Sequence, residues 1–222
     1  SGLAAHAGGP KQNTSKPNVI LIYADDLGYG DLECYGAKNI ETPHVNRLAS
    51  EGIRFTNAHA TAATSTPSRY SLLTGEYAWR KPGTDIAAGN AGMIIRPEQY
   101  TMADIFKSSG YATGAFGKWH LGDARKFLPL QHGFDEYYGL PYSNDMWPNH
   151  PQYKFPDLPL IEGNEVIGYN TEQSELTTNY TNRAGDFIRR STGSGKPFFL
   201  YLAHSMPHVP LAVSDKFKGK SE

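Results

Sequence analysis

After Asn18, Val19-Ile20-Leu21-Ile22-Tyr23 is an uninterrupted apolar run, rich in β-branched residues, that breaks abruptly into Asp25-Asp26 and then Gly28 and Gly30. A run with no polar alternation predicts a strand buried on both faces, as in parallel sheets covered by helices. Phe198 to Ala203, introduced by Pro197, repeats the pattern near the other end of the chain. Between them, helical and strand-like segments alternate. Residues 43–51 predict a helix with Pro43 in its first turn and Val45, Leu48 and Ala49 on one side. Ile53-Arg54-Phe55 and Tyr111 to Phe116 are expected as strands. Pro67 to Thr74, stopped by Gly75, and Met102 to Ser108, stopped by Gly110, are expected as helices. Ser174 to Arg190 carries Leu176, Tyr180, Ala184, Phe187 and Ile188 on one helical side. The alternation predicts an α/β/α sandwich with a largely parallel central sheet. Residues 123–172, rich in Pro, Tyr, Asn and Asp, have little periodicity, and a loop region of that length is expected to be functional.

Composition removes several function classes. With 21 Lys+Arg against 22 Asp+Glu, the net charge of −1 offers no basic face for nucleic acid. No apolar run approaches the roughly 20 residues of a membrane span. The one cysteine, Cys34, excludes an intrachain disulfide and a cysteine-built zinc site. Residues 1–16 are expected to be a flexible tail outside the fold, left by processing or cloning, and 17–222 the folded part. The triplets at Asn13 and Asn179 matter only if the source glycosylates.

Three of the four expected strands end in polar clusters. They are Asp25-Asp26, then Gly117-Lys118-Trp119-His120-Leu121-Gly122, then His204-Ser205-Met206-Pro207-His208-Val209-Pro210. Any one of these alone is ordinary turn or capping chemistry. Three at the carboxyl edge of one parallel sheet mark the place where such folds bind ligands. Adjacent carboxylates repel and need compensating positive charge, which a hard cation such as calcium or magnesium supplies. Two aspartates are too few for such a site, so further ligands must come from elsewhere. Arg69, Lys118, His120 and His208 then offer donors suited to an oxyanion such as sulfate or phosphate. In Ser65-Thr66-Pro67-Ser68-Arg69, Pro67 in the first helical turn places Ser65 just before a helix, at the positive end of its dipole. A plain serine N-cap is the alternative.

The run from Pro17 to Asp31, the stretches Ser65 to Gly75 and Gly110 to Gly122, Gly139-Leu140-Pro141-Tyr142-Ser143-Asn144-Asp145, and His204 to Pro210 together resemble the type I sulfatases. These are the formylglycine-dependent members of the alkaline phosphatase superfamily, and the 139–145 segment is similar to the arylsulfatase A and N-acetylgalactosamine-6-sulfatase branch. The resemblance implies hydrolysis of sulfate esters, on a sulfated carbohydrate or another sulfate ester. It implies that Ser65 stands at the nucleophile position, where a maturation enzyme makes formylglycine (3-oxoalanine), whose hydrate attacks sulfur. Asp25, Asp26 and the oxygen on residue 65 would be calcium ligands, with magnesium as the other candidate cation. Arg69 would hold and neutralise the nucleophile. Lys118 and His208 would contact sulfate and leaving group, and Ser143 would contact sulfate. His120 would take the proton that lets sulfate depart, and His204 takes a structural or substrate-side role. In that family a further Asp-Asn pair, a lysine and a smaller subdomain follow the histidine motif. The resemblance therefore makes 17–222 the N-terminal portion of the catalytic domain, with the C-terminal half as its partner. An exported setting is implied, periplasmic, extracellular or lysosomal. Serine at position 65 fits a natural serine-type enzyme or a replaced cysteine, and unmodified it should be catalytically poor. Two other readings stay open: a phosphomonoester or phosphodiester hydrolase of the same superfamily, and a sulfate-binding pseudoenzyme. Tyr137, Tyr138, Tyr142, Trp147, His150 and Tyr153 suit stacking on sugar rings or simple loop packing.

Overall fold

The computed structural model describes residues 15–85 and 94–220. Nearly all of the expected tail, including Asn13, thus lies outside the described residues. Its last member, Lys16, donates to the Ser109 carbonyl at 2.5 Å. Six strands, β1 (Val19–Tyr23), β2 (Ala112–Gly117), β3 (Glu136–Gly139), β4 (Pro159–Glu162), β5 (Glu165–Tyr169) and β6 (Phe198–Ala203), form one sheet in the order β1-β6-β2-β3-β4-β5. Neighbours among β1, β6, β2 and β3 run parallel, whereas β4 and β5 are antiparallel. All four parallel strands therefore end at one edge.

The helices are α1 (Pro43–Glu51), α2 (Ser65–Thr74), α3 (Met102–Ser108) and α4 (Leu176–Ser194). Leu176, Tyr180, Ala184 and Phe187 on one stripe of α4 pack with Phe198, Leu200 and Leu202 of β6. The other sheet face meets α2 and α3 through Tyr70, Leu73, Ala103, Phe199 and Tyr201. Alternate residues of β6 thus feed two separate cores, which is why that strand carries no polar position. The result is the expected α/β/α sandwich. Each fully buried large apolar side chain contributes about 1.5–3 kcal/mol through removal from water. Among the described residues, no helix is long and apolar enough to cross a membrane.

Three expectations need correction. Among the described residues β1 lies at the edge of the sheet, and its burial alternates. Val19, Leu21 and Tyr23 join the core, while Ile20 and Ile22 stay 48% and 56% exposed, because α4 covers β2, β3 and β6. Ile53-Arg54-Phe55 is not a strand; it pairs with no neighbour among the described residues, and Ile53 is 83% exposed. The segment 123–172 contains β3, β4 and β5. These strands are four or five residues long, and β4 and β5 turn through Gly163, whose positive φ suits a tight hairpin.

Candidate active site

The helix α2 begins two residues before the expected start at Pro67, which takes Ser65 into the helix. Thr64 is the N-cap and Ser65 the first helical residue, with no side-chain cap bond, so the Ser65 hydroxyl is free for other partners. Arg69, one helical turn on, is fully buried and donates from Nε to Ser65 Oγ at 2.9 Å. From Nη1 it donates to the Lys118 carbonyl at 2.8 Å and to the Tyr201 hydroxyl at 3.3 Å. Its Nη2 lies 3.4 Å from Asp25 Oδ1, at ion-pair distance but without hydrogen-bond alignment. The guanidinium also sits 5.2 Å from the centroid of the Tyr23 ring, and the Tyr23 hydroxyl bonds Ser68.

Lys118 and His120 follow β2 on a backbone that the neighbouring strand ends clamp. Lys118 N–H donates to the Ala203 carbonyl, Trp119 N–H to Leu140 and His120 N–H to Pro141, all within 2.8–2.9 Å. Two glycines permit this convergence. A Cβ on Gly117 would stand 1.8 Å from the Ala203 carbonyl oxygen, and one on Gly139 would stand 1.8 Å from the Gly117 oxygen. His120 itself has φ of 60°, a left-handed backbone that costs free energy in a non-glycine residue and aims its ring back toward α2. Its Nδ1 lies 3.4 Å from Ser65 Oγ.

Lys118 Nζ bridges Asp25 Oδ2 at 2.5 Å and Ser143 Oγ at 3.0 Å. Burial opposes the charge on Asp25, but Lys118 and Arg69 outweigh it and hold the carboxyl below its ordinary value. Burial, with Arg69 nearby, pushes the Lys118 ammonium down to about 8, against the pull of Asp25. Asp26 differs. It has φ of 63°, its side chain is 56% exposed, and His208 Nε2 stands 3.8 Å from Oδ2. His208 donates from Nδ1 to the Val209 carbonyl, which leaves Nε2 as the nitrogen facing the site, able to donate when the ring is protonated. Asp25 N–H bonds the Met206 carbonyl at 3.3 Å, so the β1 and β6 ends are tied to each other.

Asp25, Ser65, Arg69, Lys118, His120 and Ser143 therefore form one connected network, and Asp26 and His208 adjoin it through the backbone of Asp25. His204 lies outside it, against Tyr180, with burial lowering its proton affinity. The contributions of Tyr23 and Tyr201 were not foreseen. The available signal was a tyrosine hydroxyl at or near the site end of an otherwise apolar strand. The two aspartates offer oxygen donors of the kind calcium takes, but calcium needs six to eight. No cluster of three or more His, Cys, Asp or Glu among the described residues could hold a metal ion. The donor type fits a hard cation, and the donor number leaves most positions to be filled from elsewhere.

Residues 17–222 match the family model described as Sulfatase. An N-acetylgalactosamine-6-O-sulfatase of Bacteroides thetaiotaomicron is 39% identical over 95% of this chain and 52% of its own length. A solved chain from work on glycosaminoglycan metabolism by the same bacterium superposes with a TM-score of 0.82 at 34% identity, over 92% of this chain and 54% of its own. Another, solved in complex with its substrate D-glucosamine-2-N,6-O-disulfate, gives 0.66 at 31% identity, over 88% of this chain and 35% of its own. The chain spans about half the length of the curated relatives it matches. With the family match running from the β1 strand through every strand-end cluster of the site, this chain belongs to the sulfatase family, on the arylsulfatase A and N-acetylgalactosamine-6-sulfatase side.

Proposed function

We propose that the protein hydrolyses sulfate esters on sulfated carbohydrates, with residue 65 as the nucleophile position. One observation carries this reading: Ser65 Oγ sits at the start of α2 between Arg69 Nε and His120 Nδ1, beside the buried Asp25–Lys118 pair. A hydroxyl so placed meets a fixed cation on one side and an imidazole nitrogen on the other, the kind of neighbours by which a nucleophile is activated. Matured to formylglycine, residue 65 would offer a hydrated aldehyde, and Arg69 would stabilise the oxygen that attacks sulfur. Lys118 and Ser143 would hold sulfate oxygens, His208 would donate a proton to the departing sugar oxygen, and His120 would take the proton that frees sulfate. Calcium, or magnesium in its place, held by Asp25, Asp26 and the oxygen on residue 65, would add positive charge opposite the sulfate. The relatives named for N-acetylgalactosamine 6-sulfate and for glucosamine disulfate support a sulfated amino sugar as substrate. The same reading assigns the protein to an exported setting and to a maturation enzyme acting on residue 65.

Mass spectrometry of the Ser65 peptide from the full-length protein, paired with assays on a sulfate ester and the matching phosphate ester, tests this. The expected result is an aldehyde at position 65 and preferential release of sulfate. Phosphate release at the higher efficiency, with unmodified serine, would favour the phosphohydrolase reading instead. Tight sulfate binding without turnover of either ester would favour the pseudoenzyme.

A further inference from the structure

Asp145 lies two residues beyond Ser143, in a turn closed by the Met146 N–H donating to the Ser143 carbonyl at 3.1 Å. Its carboxylate is near enough to Lys118 to favour the ammonium form, so it belongs to the same electrostatic neighbourhood as the sulfate-binding cluster. Nothing in the proposed chemistry uses it. Its Oδ1 is buried with no hydrogen-bond partner among the described residues, and unpaired buried carboxylate oxygens are costly. Its Oδ2 faces His150 Nε2 at 3.9 Å. The His150 tautomer is fixed by its other nitrogen. Nδ1 accepts from the backbone N–H groups of Gln152 and Tyr153 at 3.1 and 3.0 Å, so a neutral ring carries its proton on Nε2, toward Asp145.

A distance of 3.9 Å is too long for a direct hydrogen bond, yet one oxygen atom can bridge it. The bridging group must donate to a carboxylate and accept from an imidazole N–H. An anion would be repelled by Asp145, and an ammonium would offer nothing for Nε2–H to donate to. A hydroxyl satisfies both. Tyr153, its ring centroid 5.1 Å from that of His150, is 63% exposed and offers a flat face beside this pair. A hydroxyl held at an aromatic face is the pattern by which proteins bind pyranose rings.

We propose that Asp145 and His150 are specificity-determining residues that hold a sugar hydroxyl beside the sulfated position, with Tyr153 as the platform for the ring. The proposal rests on the sulfatase reading and deepens it. It is tested in the matured full-length protein with D145N, which keeps shape and removes charge, and with H150N. In H150N the amide Oδ1 replaces Nδ1 as acceptor for the two backbone N–H groups, while the Nε2–H donor is lost. N-acetylgalactosamine 6-sulfate and 4-methylumbelliferyl sulfate, an aryl ester with no sugar, are compared. The expected result is a fall in kcat/KM of about 10- to 100-fold on the sugar sulfate, mostly in KM. The loss on the aryl sulfate should be at least about tenfold smaller. Equal losses on the two esters would mean that both residues act only by supporting the sulfate cluster, and would overturn the proposal, as would no loss on either. Wild-type protein that cleaves neither ester would contradict the sulfatase reading itself, and the subsite with it.

Discussion

Asp25 and Asp26 are adjacent in the chain, chemically identical and placed by the same strand end, yet they occupy opposite environments. Asp25 is 4% exposed and meets two buried cations, Lys118 and Arg69. Asp26 points outward from a left-handed backbone, more than half exposed, toward His208. The difference separates two kinds of functional residue. Asp25 is part of the internal framework as well as the site, because its charge compensates the two buried cations it contacts. Asp26 contributes little to that framework, and under the proposed function it would serve the cation.

The largest effect that would break this contrast is on stability. Asp25→Ala should destabilise the protein by about 3–5 kcal/mol, since it leaves Lys118 and Arg69 buried without their ion-pair partner. Thermal unfolding should register this as a midpoint lower by on the order of 10 °C. An unchanged midpoint would place the cations' compensation elsewhere. Next in size, the double variant Asp25→Asn with Lys118→Met should recover part of the loss of Asp25→Asn alone, with a coupling of about 1 kcal/mol or more in a double-mutant cycle. Simple addition of the two losses would show that the pair is not coupled. Asp26→Ala should shift stability by no more than about 0.5 kcal/mol. It should nonetheless abolish cation-dependent turnover in the mature full-length enzyme, as Asp25→Ala also does; wild-type activity with unchanged metal response would remove Asp26 from the metal site. The smallest effect concerns acid. A carboxyl whose folded pKa lies below its ordinary value stabilises the fold above that ordinary value, near 3.8 for Asp25, and loses the contribution as pH falls through the folded pKa. Asp25→Asn should therefore flatten the acid limb of the stability profile below about pH 4. An acid limb identical to wild type would assign it to other carboxyls.

Much of this was legible in the sequence where one local cause dominates. Phe198 to Ala203 is apolar throughout because both of its faces are covered, and α4 shows its buried stripe because one side of it meets β6. The strand-end clusters were visible as chemistry-bearing residues where a parallel sheet should turn. Other features depend on distant partners. An apolar run cannot reveal whether a strand will be central or at the edge, so the exposure of Ile20 and Ile22 was not foreseen. The short strands β3 to β5 are held by pairing with β2 and with one another rather than by a periodic pattern of their own. The left-handed backbone of His120 accompanies the clamp at Gly117 and Gly139, which no single segment encodes.

The central claim is that the hydroxyl-bearing position at the start of α2 performs the chemistry. Its most direct test is sulfate release from N-acetylgalactosamine 6-sulfate by the matured full-length protein beside its Ser65→Ala variant, with equal folding checked by thermal midpoint. The account predicts that wild type releases sulfate and that Ser65→Ala loses at least about a thousandfold in kcat. A Ser65→Ala variant that turns over at the wild-type rate would contradict it.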